Sequence, residues 1–121
     1  MALRDIAILT ENRYLKPRKK DWYVGNIITE DGLVQSELES LGFNCKRVAW
    51  DDCFDPSRFR FALFRTTWNY FEQLGLFRSF LKDCSDKIIF INPYEQVLWN
   101  LNKRYLLWLR DRGINIPPTY L

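Results

Sequence analysis

Three short clusters of side chains in this 121-residue chain could do chemistry, and each ends an apolar run. The first is Thr10-Glu11-Asn12-Arg13, the second Trp50-Asp51-Asp52, the third Arg65-Thr66-Thr67-Trp68-Asn69-Tyr70. An arginine such as Arg65 can clasp a carboxylate or phosphate through two parallel hydrogen bonds. Thr66, Thr67 and Asn69 can donate or accept hydrogen bonds, Glu11 and Asp51 add carboxylates, and Trp68 and Tyr70 can wall a pocket. A structural reading stands beside this one. Trp68 and Tyr70 could seal the sheet against a helix that Thr67 or Asn69 caps, and Asp51-Asp52 could simply end a strand and open a turn. The residues alone leave both readings open.

Several other chemistries fall away. The chain has no His, which removes Ser-His-Asp and Cys-His catalysis and a His-type metal site. Cys45, Cys53 and Cys84 are odd in number and match no zinc spacing, so each reads as a small apolar residue. A dinucleotide site needs a glycine-rich turn after the first strand, and no glycine occurs before Gly25. A P-loop is absent, and Glu11 alone cannot make the acid cluster of a phosphate receiver.

Charge and hydropathy set the outer limits. Net charge is +3, and much of the excess lies in Lys16-Pro17-Arg18-Lys19-Lys20. That run reads as a solvated loop, and nucleic acid is not expected as a partner. Hydrophobic residues make up 47% and charged residues 27%, a globular balance. No apolar run nears the roughly 18 residues of a membrane span. Arg4-Asp5 puts charge where a secretory signal would be apolar. A cytoplasmic protein with no membrane partner is the expectation.

The elements that must position the clusters follow from periodicity. Asp5–Thr10, Phe43–Trp50, Phe59–Thr66 and Ile88–Ile91 read as short strands. The polar stretch from Glu11 to about Asn26 reads as a long loop. A helix is expected from Thr29 as N-cap, with Val34, Leu38 and Leu41 on one face and Gly42 just past its end. A second helix is expected over Phe71–Asp83, with Phe77, Phe80, Leu81 and Cys84 as its apolar stripe. A third follows Pro93 over Tyr94–Asn100. The last should start at Asn102 and stop at Gly113, before Pro117 and Pro118. Alternation of strands and amphipathic helices predicts an α/β layered fold with a short, mainly parallel four-stranded sheet. In such sheets ligands bind beyond the carboxyl ends of the strands, which would gather the three clusters on one rim.

Three segments resemble ATP-grasp proteins of the glutathione-synthetase-like group. They are Val48-Ala49-Trp50-Asp51-Asp52, Phe64-Arg65-Thr66-Thr67-Trp68-Asn69-Tyr70, and Asn92-Pro93 followed by Trp99-Asn100-Leu101-Asn102-Lys103-Arg104-Tyr105-Leu106. Gly113 to Thr119 extends the likeness, which covers most of residues 46 to 119. The resemblance implies a Rossmann-like, three-layer pre-ATP-grasp domain over residues 1–113. Residues 114–121 would begin the connection to an ATP-grasp domain missing from this chain. It implies a parent ligase that uses ATP and Mg to join a small-molecule carboxylate to an amine. The chain alone would then be inactive and hold neither cofactor tightly. By the same likeness Arg65, Thr66, Thr67, Trp68, Asn69, Glu11 and Asp51 face substrate, and Lys103 approaches the nucleotide phosphates. A Lys in a first helical turn opposes the helix dipole, and a bound anion would relieve that. Two positions depart from the family pattern, with Asn69 and Asn102 standing where it has Asp. The alternative is a peptide- or nucleic-acid-binding module using Trp22, Trp68, Arg65 and the Lys16–Lys20 loop. Aromatic side chains left bare by a missing lobe could also drive self-association.

Overall fold

The computed structural model describes residues 3–121. Four strands form one sheet: β1 (Arg4–Thr10), β2 (Cys45–Ala49), β3 (Phe59–Thr66) and β4 (Ile89–Ile91). Their order is β2-β1-β3-β4, and every pairing is parallel. The α/β expectation holds, and the sheet is wholly rather than mainly parallel. β1 is central and nearly pure apolar, Ile6 to Leu9 being buried, as a strand covered on both faces must be.

The register sorts the two faces. Ile6, Ile8, Cys45, Phe61 and Leu63 share one face, and Leu38 of the helix α2 (Trp22–Ser40) packs there. Ala7, Leu9, Ala62 and Phe64 share the other face. There Phe64 meets Phe77 of α3 (Leu74–Cys84) at 6.3 Å between ring centroids, and Trp50 meets Phe77 at 4.9 Å. Phe77, Leu81 and Cys84 are buried and Phe80 is half-buried, so the expected stripe of this helix is the real one. Two helices on opposite faces make three layers.

The segment after β1 differs from the expectation. It is not a long loop but a helical turn, α1 (Asn12–Leu15), followed by α2, which starts at Trp22. Asp21, not Thr29, is the N-cap, its carboxylate accepting from the Val24 amide at 2.9 Å. Thr29 lies inside the helix. Two glycines, Gly25 and Gly32, hide the helix in the sequence, each costing about 1 kcal/mol against Ala. Packing repays this: Val24 and Ile27 bury against Tyr14 of α1, with Ile28 half-buried beside them. At the far end Gly42 adopts φ +96°, a region open to glycine. The Phe43 amide then reaches the Leu38 carbonyl, and Gly42 reaches Glu39, a Schellman ending.

Smaller boundaries shift for local reasons. β2 is shorter than Phe43–Trp50, and β4 starts at Ile89. The second helix begins at Leu74, after a 3₁₀ turn over Trp68–Phe71. Between β2 and β3 the chain crosses back without an α-helix. A 3₁₀ turn at Pro56–Arg58 is fixed by Asp55, which accepts from the Ser57 amide and hydroxyl.

A second compact unit begins at Asn92. It holds α4 (Tyr94–Leu101), α5 (Tyr105–Asp111) and an extended tail. Within it Trp99 packs edge-on to Trp108 at 5.5 Å, and the Arg112 guanidinium lies 3.6 Å over the Trp108 ring. Pro93 is the N-cap of α4, which starts at Tyr94 as expected and runs one residue further, to Leu101. α5 begins at Tyr105, later than Asn102. Asn102 is not its N-cap, which is Arg104; the Asn102 side-chain oxygen accepts from the Arg104 amide at 3.0 Å in the turn before α5. Among the described residues no helix is long and apolar enough to cross a membrane.

Two outcomes follow. Removing the Asp21 carboxylate with Asp21→Ala should lower stability by about 1 kcal/mol in urea denaturation, whereas Thr29→Ala should cost far less. The three thiols should separate sharply towards iodoacetamide at pH 8. Cys53 is exposed, while Cys45 and Cys84 are buried. Burial raises both buried thiols, Cys84 up to about 11. Peptide mass spectrometry of the native protein should find Cys53 modified first, the others reacting at least ~10-fold more slowly.

Candidate functional site at the carboxyl ends of the strands

β1 and β3 lie side by side, but the chain leaves β1 towards β2 on one side and leaves β3 towards β4 on the other. Their carboxyl ends therefore border the switch point where open α/β sheets hold ligands. Two buried polar assemblies are built there.

The first joins the three clusters singled out in the sequence. Glu11 is fully buried, and one carboxylate oxygen accepts from the Asn69 amide at 2.8 Å. The other accepts from the Arg13 guanidinium. That hydrogen bond, with the Glu11 charge, raises Arg13 above its ordinary value. The Asn69 side chain then uses both of its ends. Its oxygen accepts from the Trp50 indole at 2.8 Å, and its amide donates to Asp51 at 2.9 Å. The second Asp51 oxygen accepts from the Asn12 amide at 2.8 Å. Segments following β1, β2 and β3 are thus tied into one rim. Glu11, Asp51 and Asn69 thus have their side-chain polar atoms engaged within the rim, by Arg13, Trp50, two backbone amides and one another. Asn69 also explains itself against the family pattern: an Asp there would have no proton to give Asp51 unless it were protonated.

The second assembly surrounds Asp31, which is fully buried on α2. One of its oxygens accepts from Arg47 of β2 at 2.8 Å and from the Thr66 hydroxyl at 2.9 Å. Arg47 also donates to the Tyr14 carbonyl at 3.0 Å and to the Thr10 hydroxyl at 3.3 Å. The hydroxyls of Thr10 and Thr66 share a further hydrogen bond. A register shift makes this possible. Leu9 pairs with Phe64, but Thr10 pairs with Thr66, so β3 carries one extra residue. Alternation sends Arg65 to the α2 face, and the extra residue brings Thr66 there as well.

Arg65 is bound more loosely. Its Nε lies 3.5 Å from the second Asp31 oxygen, and an outer nitrogen lies 3.6 Å from Glu30. Neither distance is a hydrogen bond. Asp31 Oδ1 and Arg65 Nε are both buried, and neither has a hydrogen-bond partner among the described residues.

The residues expected at the site therefore divide. Glu11, Asp51, Arg65, Thr66, Thr67, Trp68 and Asn69 all come to this rim. Thr66, Thr67 and Asn69 are buried, while Trp68 is exposed, with its ring edge-on to Tyr14 at 5.9 Å. Lys103 belongs to the second unit, exposed, with its amine 5.8 Å over the Tyr105 ring. Two residues escaped the sequence reading. Asp31 is not among the residues singled out in the sequence, although it follows Val24 and Ile27 on the buried face of α2. Arg47 was overlooked, although it alternates with buried Cys45 and Ala49 and so points inward. An acid on an apolar stripe and a base on the inward side of a strand were the available signals. A cavity of 690 Å³ opens beside Arg47, lined also by Lys46, Val48, Cys53, Phe54 and Arg58, and is not lined by Glu11, Arg65 or Asn69. The Cα-level fold and hydrogen bonding, rather than cavity size, locate the rim as the candidate site.

This open parallel α/β domain, with the rim at its switch point, matches a family of N-terminal domains. Residues 6–92 match the family described as D-cycloserine synthetase DcsG, N-terminal domain, and the chain belongs to that family. It is 33% identical over 81 residues to the cycloserine biosynthesis protein DcsG of Streptomyces lavendulae, covering 66% of this chain and 27% of that protein. The crystal structure of D-cycloserine synthetase DcsG is similar with a TM-score of 0.77 at 26% identity, over 93% of this chain and 35% of that one. The chain thus spans roughly a third or less of the relatives it matches.

Loss of the Asn69 side chain should be felt throughout the rim. Asn69→Ala leaves the Trp50 indole and an Asp51 oxygen without their partners in a buried setting. It should lower stability by about 1–3 kcal/mol in urea denaturation. A loss under ~0.5 kcal/mol would show that water replaces the side chain freely.

Proposed function

We propose that this chain is the substrate-side N-terminal domain of an ATP-dependent carboxylate–amine ligase of the ATP-grasp class. The observation that carries the reading is the rim at the β1–β3 switch point, in a chain that belongs to the DcsG N-terminal family. Glu11, Asp51 and Asn69 hold the rim in shape, because their polar atoms are already engaged. Thr66 and Thr67 line its floor. Arg65 and Trp68 are the members with side chains still open to a small carboxylate or amine substrate.

In this reading MgATP supplies the phosphoryl group that activates the carboxylate. Among the described residues no group of three or more His, Cys, Asp or Glu is placed to hold a metal ion. By resemblance to the ATP-grasp class, the magnesium site and most of the nucleotide site are expected in parts of the parent protein outside this chain. Lys103 is this chain's contribution towards the phosphates.

Calorimetric titration tests the division of labour. MgATP should give no measurable heat of binding with this chain at micromolar protein, and clear binding with a form carrying the following sequence. Lys103→Ala in that longer form should weaken MgATP binding by about tenfold. Equally tight binding by both forms would overturn the proposal.

A further inference from the structure

Arg65 is an odd member of its surroundings. Asp31 already has its neutralising partner in Arg47, which donates to it at 2.8 Å. Arg65 is thus a second cation beside a carboxylate that needs only one. Its side chain is 31% exposed, and its buried Nε has no hydrogen-bond partner among the described residues. Its outer partner, Glu30, is 71% exposed and 3.6 Å away. An exposed pair of this kind contributes little, about 0–1 kcal/mol, so a competing anion can displace it.

We propose that Arg65 is the carboxylate-binding residue of the rim, and that Glu30 occupies the position a substrate carboxylate takes. This deepens the substrate-side reading given above and rests on it. Three observations point the same way. Arg65 stands at the β1–β3 switch point, where β3 carries its extra residue. Its buried Nε and the facing Asp31 oxygen are both left without hydrogen bonds, so the guanidinium can turn without breaking one. Lastly, the planar guanidinium can give an incoming carboxylate two charge-assisted hydrogen bonds in place of one long ion pair. Charge selects a carboxylate over a phosphate. With Asp31 at 3.5 Å and Glu30 at 3.6 Å, a ligand with one negative charge replaces Glu30 evenly. A dianion would meet uncompensated repulsion.

The test follows the Arg65 side-chain N–H by NMR while sodium acetate is added to the full chain, with sodium chloride at equal ionic strength as reference. Acetate should shift that resonance saturably, and chloride should not. Glu30→Gln removes the competitor and should tighten acetate binding by about two- to fivefold. Arg65→Lys keeps a positive charge near Asp31 but loses the fork. It should retain the amide spectrum of the folded protein and bind acetate at least ~5-fold more weakly. Unchanged or weaker binding in Glu30→Gln, or full binding in Arg65→Lys, would overturn the proposal. Inorganic phosphate binding more tightly than acetate would overturn the carboxylate assignment. None of these readouts involves nucleotide. A negative acetate result with MgATP bound only by the longer form sinks this inference alone, and tight MgATP binding by the short chain sinks the ligase reading alone.

Discussion

A carboxylate with no exposed surface sits between a helix and the ends of two strands, and its charge has to be met where it lies. Burying an ion without a partner costs several kcal/mol, so Asp31 constrains everything around it. Arg47 must point inward from an outer strand. Thr66 must reach the same face as Arg65, which the extra residue in β3 allows. α2 must begin well before Asp31, so that Val24 and Ile27 can pack against Tyr14. Tyr14 in turn must present its carbonyl to Arg47. The helical turn α1, the long α2 and the bulge are then consequences of one another. Breaking the Asp31–Arg47 pair by removing one partner would leave the other buried and unpaired. Replacing both with apolar residues could be nearly neutral, so the pair specifies the arrangement more than it stabilises it.

The second lock does different work. Glu11, Asp51 and Asn69 connect the segments that leave three neighbouring strands, and none of the three belongs to a strand itself. Loops leaving a sheet are ordinarily its most mobile parts. Here each one is fixed through a carboxylate or amide whose partners are backbone amides or a buried indole. Such bonds hold a rim to fractions of an ångström, which is what a substrate-positioning surface needs.

The sheet and α3 were legible in the sequence because packing and period agree there. Phe77, Phe80, Leu81 and Cys84 repeat at helical spacing, and the strands are short apolar runs with turn residues behind them. That the three clusters would share a rim was legible from topology alone. α2 was misplaced because its first turns carry Gly25 and end in an exposed Trp22, while the face that buries them packs on a turn the sequence presents as polar. Local propensity was outvoted by tertiary contact. The Asp31 assembly was illegible for another reason. Its members, residues 10, 31, 47 and 66, are brought together only by the fold, and no local period or spacing in the sequence links the four.

The two assemblies together explain why the rim keeps one adjustable charge. Glu11 is met by Arg13 and the Asn69 amide, Asp51 by Asn12 and Asn69, and Asp31 by Arg47 and Thr66. Each of these carboxylates has at least two hydrogen-bond donors, so moving any of them would break a buried bond. Arg65 and Glu30 break none by moving. A rim built to hold its shape while one exposed ion pair stays exchangeable separates positioning from recognition. In the proposed reading the buried locks would set where a ligand's charge arrives, and the loose pair would leave room for that charge. Asn69 and Asn102, the two places where the ATP-grasp resemblance would have Asp, fit the same logic, since both act through hydrogen bonds rather than through a net charge.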